Sequence, residues 1–328
     1  MRLLKVLLIF LILAGAAAYA GIHQWLNQPL ISDDKAISFT IKPGSSVRAA
    51  AKQIEEAGVP VPALAFELMA RLSGQAAKLK AGSYELEPGK TPLQLLEKIA
   101  NGEFSMGSLA IIEGWTFNQM RKIIDASPDL KHDTKDWSIR DLMQKLGADV
   151  TYAEGMFFPD TYLFAKGSSD LQLYQQAYAA QMKRLDYAWS NRASGLPYHD
   201  KYEALTMASI VEKETGQSAE RPMVAAVFVN RLKTGMLLQT DPTVIYGMGD
   251  RYQGKIHKSD LLRDTPYNTY TRAGLPPTPI SLPGSAALEA ALNPANSQAL
   301  YFVARGDGTS KFSENLDDHN KAVNQYQR

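Results

Sequence analysis

Two glutamates near the middle of the chain are the first side chains that could exchange a proton with a substrate. Glu212 and Glu214 flank Lys213 in ASIVEKET, residues 208–215, at the end of an apolar run. A carboxyl group held among apolar side chains loses hydration of its charged form, so its pKa rises toward the range that suits a general acid. The motif therefore makes acid–base catalysis by one of the two glutamates a hypothesis that the rest of the sequence can test.

Helical periodicity favours Glu214 as the catalytic carboxyl. Residues 203–216 are predicted to form a helix that ends at Gly216, with the two glutamates on the flanks of its apolar face. The polar face opposite contains Thr206, Ser209 and Lys213. The side chains three, four and seven positions before Glu214 are large, whereas those before Glu212 are smaller on average: Val211, Ile210 and Met207 against Ser209, Ala208 and Leu205. The negative partial charge at the helix C-terminus raises the pKa further. Periodicity alone leaves open that both glutamates are solvated and paired with Lys213, Arg221 or Lys233.

Asp241 is the candidate for a second carboxylate. In TDPTVIYG it precedes Pro242 and a helix-like run, which is typical of a helix N-cap followed by proline at the first helical position. The same carboxylate could instead contact substrate or stabilise a cationic transition state. The sequence leaves both interpretations open.

Loop residues beyond the motif offer candidate substrate-binding groups. The amides of Gln239 and Asn268 suit recognition of hydroxyl or N-acetyl groups, and the rings of Tyr267 and Tyr270 suit stacking on sugar faces. Each could equally stabilise its own loop by hydrogen bonding or packing, because this part of the chain is rich in the Gly, Pro, Asn and Asp that form turns.

The composition excludes several classes of function. With a net charge of +1 over 328 residues, the chain has no broad basic field for nucleic acid, and the absence of cysteine rules out disulfides and thiolate sites. The five histidines show no metal-ligand spacing: His23, His132, His199, His257 and His319. We find no serine nucleophile elbow and no Gly-rich phosphate loop, so the sequence predicts an enzyme without metal or cofactor.

The N-terminus predicts a membrane segment. Residues 6–22, VLLIFLILAGAAAYAGI, carry no charge and follow Arg2 and Lys5. This length just crosses a hydrocarbon core of roughly 30 Å, and the positive-inside rule keeps residues 1–5 in the cytoplasm. We favour a retained anchor; the alternative is a signal peptide cleaved after AYA, residues 18–20. Both export the remainder of the chain.

The predicted fold class is α+β, with an N-terminal transmembrane helix. After a linker at 23–35, residues 36–107 read as a compact strand–helix–helix–strand–helix unit, in which Ser45 or Ser46 caps one helix and Thr91 another. Residues 108–328 form a larger mixed domain with long ordered loops. We expect 115–150 to be helical, and a hairpin to form around GDG at residues 306–308.

Four long motifs occur in order along the chain: TMASIVEKET, VFVNRLKTGMLLQTDPTVIYG, YNTYTRAGLPPTPISLPG and LYFVA…F…HN. Together they resemble the YceG-like endolytic murein transglycosylases, membrane-anchored enzymes of bacterial cell-wall metabolism. The resemblance is densest across 204–320. It implies a LysM-like subdomain at 36–107 and a catalytic domain at 108–328.

The resemblance also implies roles for residues. The family's catalytic glutamate falls on Glu214, with Thr215 beside it and Glu212 in support. The implied reaction is that of a lyase, which cuts the β-1,4 bond between N-acetylmuramic acid and N-acetylglucosamine within a glycan strand and leaves a 1,6-anhydro end. Termination of nascent strand elongation is the implied role. The implied location is the bacterial inner membrane, with a single pass, the catalytic domain in the periplasm and peptidoglycan synthases as candidate partners.

Two alternatives remain open from the sequence. A muramidase-like hydrolase could use Glu214 together with Asp241, since ordinary glycosidases need two carboxyls. A membrane-tethered scaffold could hold peptidoglycan for synthases without cutting it.

Overall fold

The computed structural model describes residues 2–32 and 35–327, and its class is mixed α+β, as predicted. The described helices are α1 (Arg2–Asn27), α2 (Val47–Glu56), α3 (Ala63–Leu72), α4 (Pro92–Asn101), α5 (Phe117–Ala126), α6 (Ile139–Lys145), α7 (Asp170–Ser190), α8 (Lys201–Glu214), α9 (Arg221–Lys233), α10 (Asp241–Met248), α11 (Lys258–Leu262), α12 (Ser285–Leu292) and α13 (Leu316–Tyr326). The strands are β1 (Ile37–Ile41), β2 (Gly82–Leu86), β3 (Met106–Ala110), β4 (Leu130–Lys131), β5 (Thr161–Ala165), β6 (Ser168–Ser169), β7 (Tyr301–Ala304) and β8 (Ser310–Ser313). Within the described residues the strands pair two by two: β1 with β2, β3 with β5, β4 with β6 and β7 with β8.

The chain divides into two compact units. Unit 1 comprises Met1–Ser108, Asp129–Lys131 and Leu163–Ser168, and unit 2 comprises Leu109–Pro128, His132–Tyr162 and Ser169–Arg328.

Helix α1 is long and apolar enough to cross a membrane. Its segment Leu4–Asn27 spans 24 residues, with a mean hydropathy of 2.2 in its most apolar window and none of that window buried in the protein. At 1.5 Å per residue it is about 36 Å long, which exceeds a hydrocarbon core of roughly 30 Å. The helix therefore continues five residues beyond the predicted end at residue 22.

The segment predicted as a linker is partly ordered against unit 1. Trp25 and Leu26, in the last turn of α1, pack against the unit 1 core. The backbone N–H of Leu30 donates to the carbonyl of Lys90 at 2.8 Å. The prediction of a plain linker at 23–35 differs from the structure because the apolar side chains at its start find a core to pack against.

Local capping signals position the elements of unit 1 as predicted. Ser46 caps α2 by accepting from the N–H of Ala49, and Thr91 forms a capping box with Gln94 at the start of α4. Gly102 ends α4 in the left-handed conformation at φ 75°. β1 and β2 are antiparallel with Phe39 opposite Tyr84, and the two rings stack at 5.5 Å between centroids. The order strand–helix–helix–strand–helix is confirmed.

In unit 2 the central helix is α8, which packs against α7, α9, α10 and α12. Residues 204–211 are all buried, including Thr206 and Ser209, which the periodicity had placed on a polar face. Ser209 satisfies its hydroxyl by donating to the carbonyl of Thr206 at 2.7 Å and accepting from the N–H of Ile280 at 2.9 Å. A helix surrounded on all sides can bury small hydroxyls when backbone groups pair with them.

Two other predictions for unit 2 need correction. Residues 115–150 are not continuously helical: α5 and α6 are separated by β4 and a turn. Helix α8 ends at Glu214 rather than Gly216, because Thr215 is extended at φ −140°, ψ 131°. The predicted hairpin around GDG is confirmed, with Val303 of β7 opposite Lys311 of β8.

Candidate active site

Glu214 is the last residue of α8, and its carboxyl is partly buried. Burial raises its pKa above the ordinary value, and the negative charge of Asp241 raises it further. A hydrogen bond from Thr240 and the positive charge of Arg231 act in the opposite direction. The carboxyl therefore favours the protonated form more than an exposed glutamate does, which is the state that a general acid needs.

Thr240 holds one oxygen of this carboxyl. Its hydroxyl donates to Oε2 of Glu214 at 2.7 Å, and its own N–H donates to the hydroxyl of Thr269 at 3.1 Å. Thr240 is 2% exposed, so the bond is shielded from water. With Oε2 fixed as an acceptor, Oε1 is the oxygen available to carry the acid proton.

Of the two interpretations left open for Asp241, the structure excludes the N-cap. Thr240 is the N-cap of α10, and Asp241 and Pro242 occupy the first two helical positions. Thr240 makes no side-chain capping bond, since its hydroxyl is used on Glu214. The carboxylate of Asp241 accepts from the hydroxyl of Tyr270 at 2.6 Å, and burial, together with this acidic partner, raises the pKa of the phenol.

Arg231 supplies a buried positive charge near Glu214. It is 8% exposed, its Nε donates to the carbonyl of Leu300 at 2.7 Å, and its Nη1 donates to the carbonyl of Leu238 at 2.7 Å. Its guanidinium lies 5.3 Å from the ring centroid of Tyr301. These partners fix the guanidinium in place. Its positive charge limits how far burial can raise the pKa of Glu214.

Glu214 opens onto a cleft of about 1100 Å³ within unit 2. The cleft lies between the C-terminus of α8, helix α9, residues 238–241, β7 and α13, and its lining is rich in polar and aromatic side chains. Among the predicted site residues, the cleft brings together Glu214, Thr215, Gln239, Asp241 and Tyr270. The sequence had not assigned His319 to the site, although it lies in the last motif; its ring stacks on Tyr301 at 5.0 Å in the cleft wall.

Gln239 adopts a strained backbone conformation at the cleft. Its φ is 51°, a left-handed value that is uncommon for a residue other than glycine, and its side chain is exposed. Its N–H donates to the carbonyl of Thr269 at 3.1 Å, which holds the loop in this conformation. Such strain clusters at functional sites, so Gln239 stays a candidate substrate contact.

Asn268 and Tyr267 do not line the cleft, contrary to their predicted role. Asn268 is fully buried; its amide donates to the carbonyls of Leu261 and Arg263, and its oxygen accepts from the N–H of Tyr270. Tyr267 shares a hydroxyl–hydroxyl hydrogen bond of 2.9 Å with Thr278. Asn268 thus shapes the loop that presents Tyr270, which is the alternative that loop composition had left open.

Glu212 is neither solvated nor part of the cleft lining. Its Oε1 accepts from Arg221 at 2.8 Å, its Oε2 accepts from the N–H of Gly284 at 2.9 Å, and its side chain is 5% exposed. It thereby ties the end of α8 to the starts of α9 and α12. These contacts fit the supporting role predicted for Glu212.

Sequence reasoning missed Glu154, the first residue of EGMFFPDTY. It is 7% exposed and accepts from the N–H of Phe117 at 2.9 Å and from the hydroxyl of Tyr246 at 3.0 Å. Burial raises its pKa to about 7, although these two donors and Lys213 lower it. Tyr246 lies on α10, the helix that begins beside Glu214. The only signal in the sequence was an acidic residue close to an aromatic run, which does not by itself indicate a functional group.

Replacing Thr240 with valine should reduce the rate and shift its pH dependence. The change removes the hydroxyl that positions Glu214, and loss of a hydrogen bond to a carboxylate corresponds to a loss of roughly 10- to 100-fold. Because the bond lowers the pKa of Glu214, its removal should move the alkaline limb of kcat/KM to higher pH. Thr206→Val is the matched control: Thr206 is also buried, but its hydroxyl donates to the carbonyl of Tyr202. An unshifted limb in Thr240→Val would contradict this role.

Replacing Glu154 with glutamine should stabilise unit 2 at high pH. A carboxyl whose folded pKa of about 7 exceeds its ordinary 4.5 binds more protons when folded, so its contribution to stability is present below pH 4.5 and is lost as pH rises through 7. The difference corresponds to about 3 kcal/mol. Urea unfolding, followed by tryptophan fluorescence at pH 5 and pH 8, measures the free energy of unfolding. We expect Glu154→Gln to be more stable than the wild type only at pH 8. An equal difference in stability at both pH values would refute the role assigned to the Glu154 carboxyl.

Comparison with known proteins places the chain among bacterial cell-wall proteins. The model of the YceG-like family matches residues 39–325. A protein of Bacillus subtilis named endolytic murein transglycosylase is 32% identical over 96% of this chain and 91% of its own length. A protein of the same name from Streptococcus pneumoniae is 29% identical, and the alignment spans 63% of its length. The crystal structure of a YceG-like protein from Listeria monocytogenes superimposes with a TM-score of 0.57 at 34% identity, over 88% of this chain and 99% of that one.

Proposed function

Since this chain belongs to the YceG-like family, we propose that it is an endolytic murein transglycosylase that cuts peptidoglycan strands between N-acetylmuramic acid and N-acetylglucosamine. The observation that carries the proposal is Glu214: a partly buried carboxyl with raised pKa, held through one oxygen by Thr240, at the side of an open cleft. The names of the relatives in Bacillus subtilis and Streptococcus pneumoniae support the same reaction.

One carboxyl is enough for this reaction. Glu214 first donates its proton to the glycosidic oxygen, and the bond from that oxygen to C1 of the muramic acid breaks. The C6 hydroxyl oxygen of the same sugar then bonds to C1 and closes a 1,6-anhydro ring, while its proton passes to Glu214. The acid is regenerated and no water is consumed. A hydrolase would need a second carboxyl roughly 5–10 Å away to act as nucleophile or to activate water.

Asp241 is the candidate for the electrostatic part of the mechanism. Its charge reaches Glu214, because it raises the pKa of that group, and the hydroxyl of Tyr270 holds its carboxylate. A fixed negative charge would stabilise the positive charge that develops at C1 in the transition state. We assign to Asp241 this role and contact with substrate.

The cleft fits a long polymer. It is open, and at about 1100 Å³ it exceeds what a single sugar fills. The aromatic rings of Tyr270 and Tyr301 and the polar groups of Gln239 and Asn320 line it. An open groove accepts the middle of a strand, as endolytic cleavage requires.

The length and apolar surface of α1, together with Arg2 and Lys5 in its first turns, support membrane anchorage. We propose a single pass, with residues 1–5 in the cytoplasm and the catalytic domain outside the cytoplasmic membrane. Termination of nascent strands beside synthases is the cellular role that fits this location.

Digestion of purified sacculi tests the proposal. The detergent-solubilised wild type should release internal fragments whose muramic ends are lighter than reducing ends by the mass of one water. Fragments with ordinary reducing ends would show the hydrolase that uses Glu214 with Asp241. Sacculi that are bound but remain intact would show the scaffold.

A further inference from the structure

Three side chains with metal-binding atoms lie together in unit 2, and the proposed reaction does not use them. They are Asp125 near the end of α5, His132 in the segment after β4, and Asp170 at the first position of α7. One ligand atom from each lies within 4.8 Å of the other two. Imidazole nitrogen and carboxylate oxygen are the donor atoms that borderline divalent cations take in proteins.

Polar atoms at this cluster have no protein partner. Among the described residues, Oδ1 of Asp125, Nδ1 of His132 and the hydroxyl of Tyr174 are buried without a hydrogen bond. Tyr174 is 0% exposed. Unpaired buried polar groups are rare in native proteins and cost free energy, so their convergence points to a missing ligand.

Tyr174 lies on the same helix as Asp170 and packs against the helix that carries Asp125. It follows Asp170 by one helical turn on α7, and its ring packs at 6.3 Å from that of Phe117 on α5. The charges of Asp125 and Asp170 both act on its buried phenol, so the hydroxyl lies near the two carboxylates.

Surrounding groups hold the carboxylates in place. Both oxygens of Asp170 accept from the N–H of Thr134, and Oδ2 also accepts from its hydroxyl at 2.8 Å. Arg121 lies 3.9 Å from Asp125, and its guanidinium donates to three backbone carbonyls: those of Thr134, Lys135 and Trp137. Outer-shell bonds of this kind orient metal ligands. Two carboxylates and one guanidinium leave a net charge of −1, which favours a cation.

We propose that Asp125, His132 and Asp170 bind one zinc ion, with the hydroxyl of Tyr174 or a water as a further partner. Magnesium and calcium prefer all-oxygen sites, whereas zinc accepts nitrogen and oxygen at about 2.0–2.2 Å. Tetrahedral ligand atoms would then be about 3.4 Å apart, so separations that are now at most 4.8 Å need to shorten by no more than about 1.4 Å. The site is structural: it would fasten the end of α5, residue 132 and the start of α7 to one another.

This proposal differs from the sequence prediction of a chain without metal. That prediction rested on the spacing of the histidines, and only one histidine takes part here. Residues 125, 132 and 170 fit no short motif, because the fold alone brings the third ligand to the first two.

Zinc titration of the full chain in detergent, after chelator treatment, tests the site. We expect one equivalent of zinc to bind and raise the Tm, with magnesium and calcium having much smaller effects. His132→Gln should lower zinc affinity at least tenfold, and so should Asp125→Asn, which keeps the size of the side chain in case the first variant does not fold. His199→Gln is the control, because His199 is exposed and outside the cluster.

The zinc titrations of the wild type and the variants distinguish a specific site from its absence. Saturable binding that is lost in either cluster variant and kept in His199→Gln supports the site. No saturable binding by the wild type overturns it, as does zinc affinity that is equal in the wild type and both cluster variants. Because the readouts are binding and Tm, failure of the proposed transglycosylase activity would leave the result unaffected.

Discussion

Glu214→Gln should abolish anhydro-muropeptide release while leaving the protein folded. Removal of a general acid costs about 10²–10⁴ in rate, and here the same group performs both proton transfers, so we expect a loss at the upper end or beyond. Glutamine keeps the shape of the side chain, and its amide oxygen still accepts from the hydroxyl of Thr240 at the position of Oε2. Binding to sacculi should therefore survive. The assay is mass analysis of products from purified sacculi, with thermal melts to verify folding.

Glu212→Gln is the matched control, since the two glutamates are two residues apart on the same helix turn. Glu212 lies outside the cleft lining, so its glutamine variant should keep activity per folded molecule within about tenfold of the wild type, the size of effect that a lost supporting bond has on a rate. A dead but folded Glu212→Gln together with an active Glu214→Gln would show that the wrong carboxylate had been assigned. Loss of sacculus binding in Glu214→Gln would instead give that residue a binding role.

Features that depend on neighbouring residues were predictable from the sequence. The caps at Ser46 and Thr91 and the end of α4 at Gly102 each depend on side chains or φ preferences within a few positions. The apolar α1 and the β7–β8 hairpin belong to the same class. Local sequence signals are sufficient for these features because each conformation depends on residues within a few positions of one another.

Features set by long-range packing were not predictable. Thr240 lies 26 positions after Glu214, and Glu154 lies 92 positions before Tyr246. The periodicity of α8 predicted a polar face, whereas the structure surrounds the helix and pairs its hydroxyls with backbone. For the same reason Asn268 looked like a substrate contact until its amide was found to bind carbonyls of its own loop. Residue type made Glu214 a candidate acid; the fold alone identified the groups that set its pKa.

The pair formed by Glu212 and Arg221 accounts for the first glutamate of the motif. The two side chains are 5% and 8% exposed, and Nε of Arg221 is buried without a partner. The pKa of Glu212 is raised by burial, while the N–H of Gly284 and the charge of Arg221 lower it. A buried ion pair of this kind contributes little beyond its own desolvation cost, but removal of one partner leaves an unpaired charge.

Either Glu212→Gln or Arg221→Met should therefore lower the free energy of unfolding of unit 2 by roughly 3–5 kcal/mol. The double variant should lose clearly less than the sum of the two, because no charge is left unpaired and methionine fills the volume of the arginine stem. Hydrogen–deuterium exchange at the amides of α8, α9 and α12 measures this in the full chain, without assuming that both units unfold together. Additive losses would mean that the two side chains act independently. Non-additive losses, with activity per folded molecule preserved, would establish that the first glutamate of the motif stabilises the helix end that carries Glu214, the proposed acid.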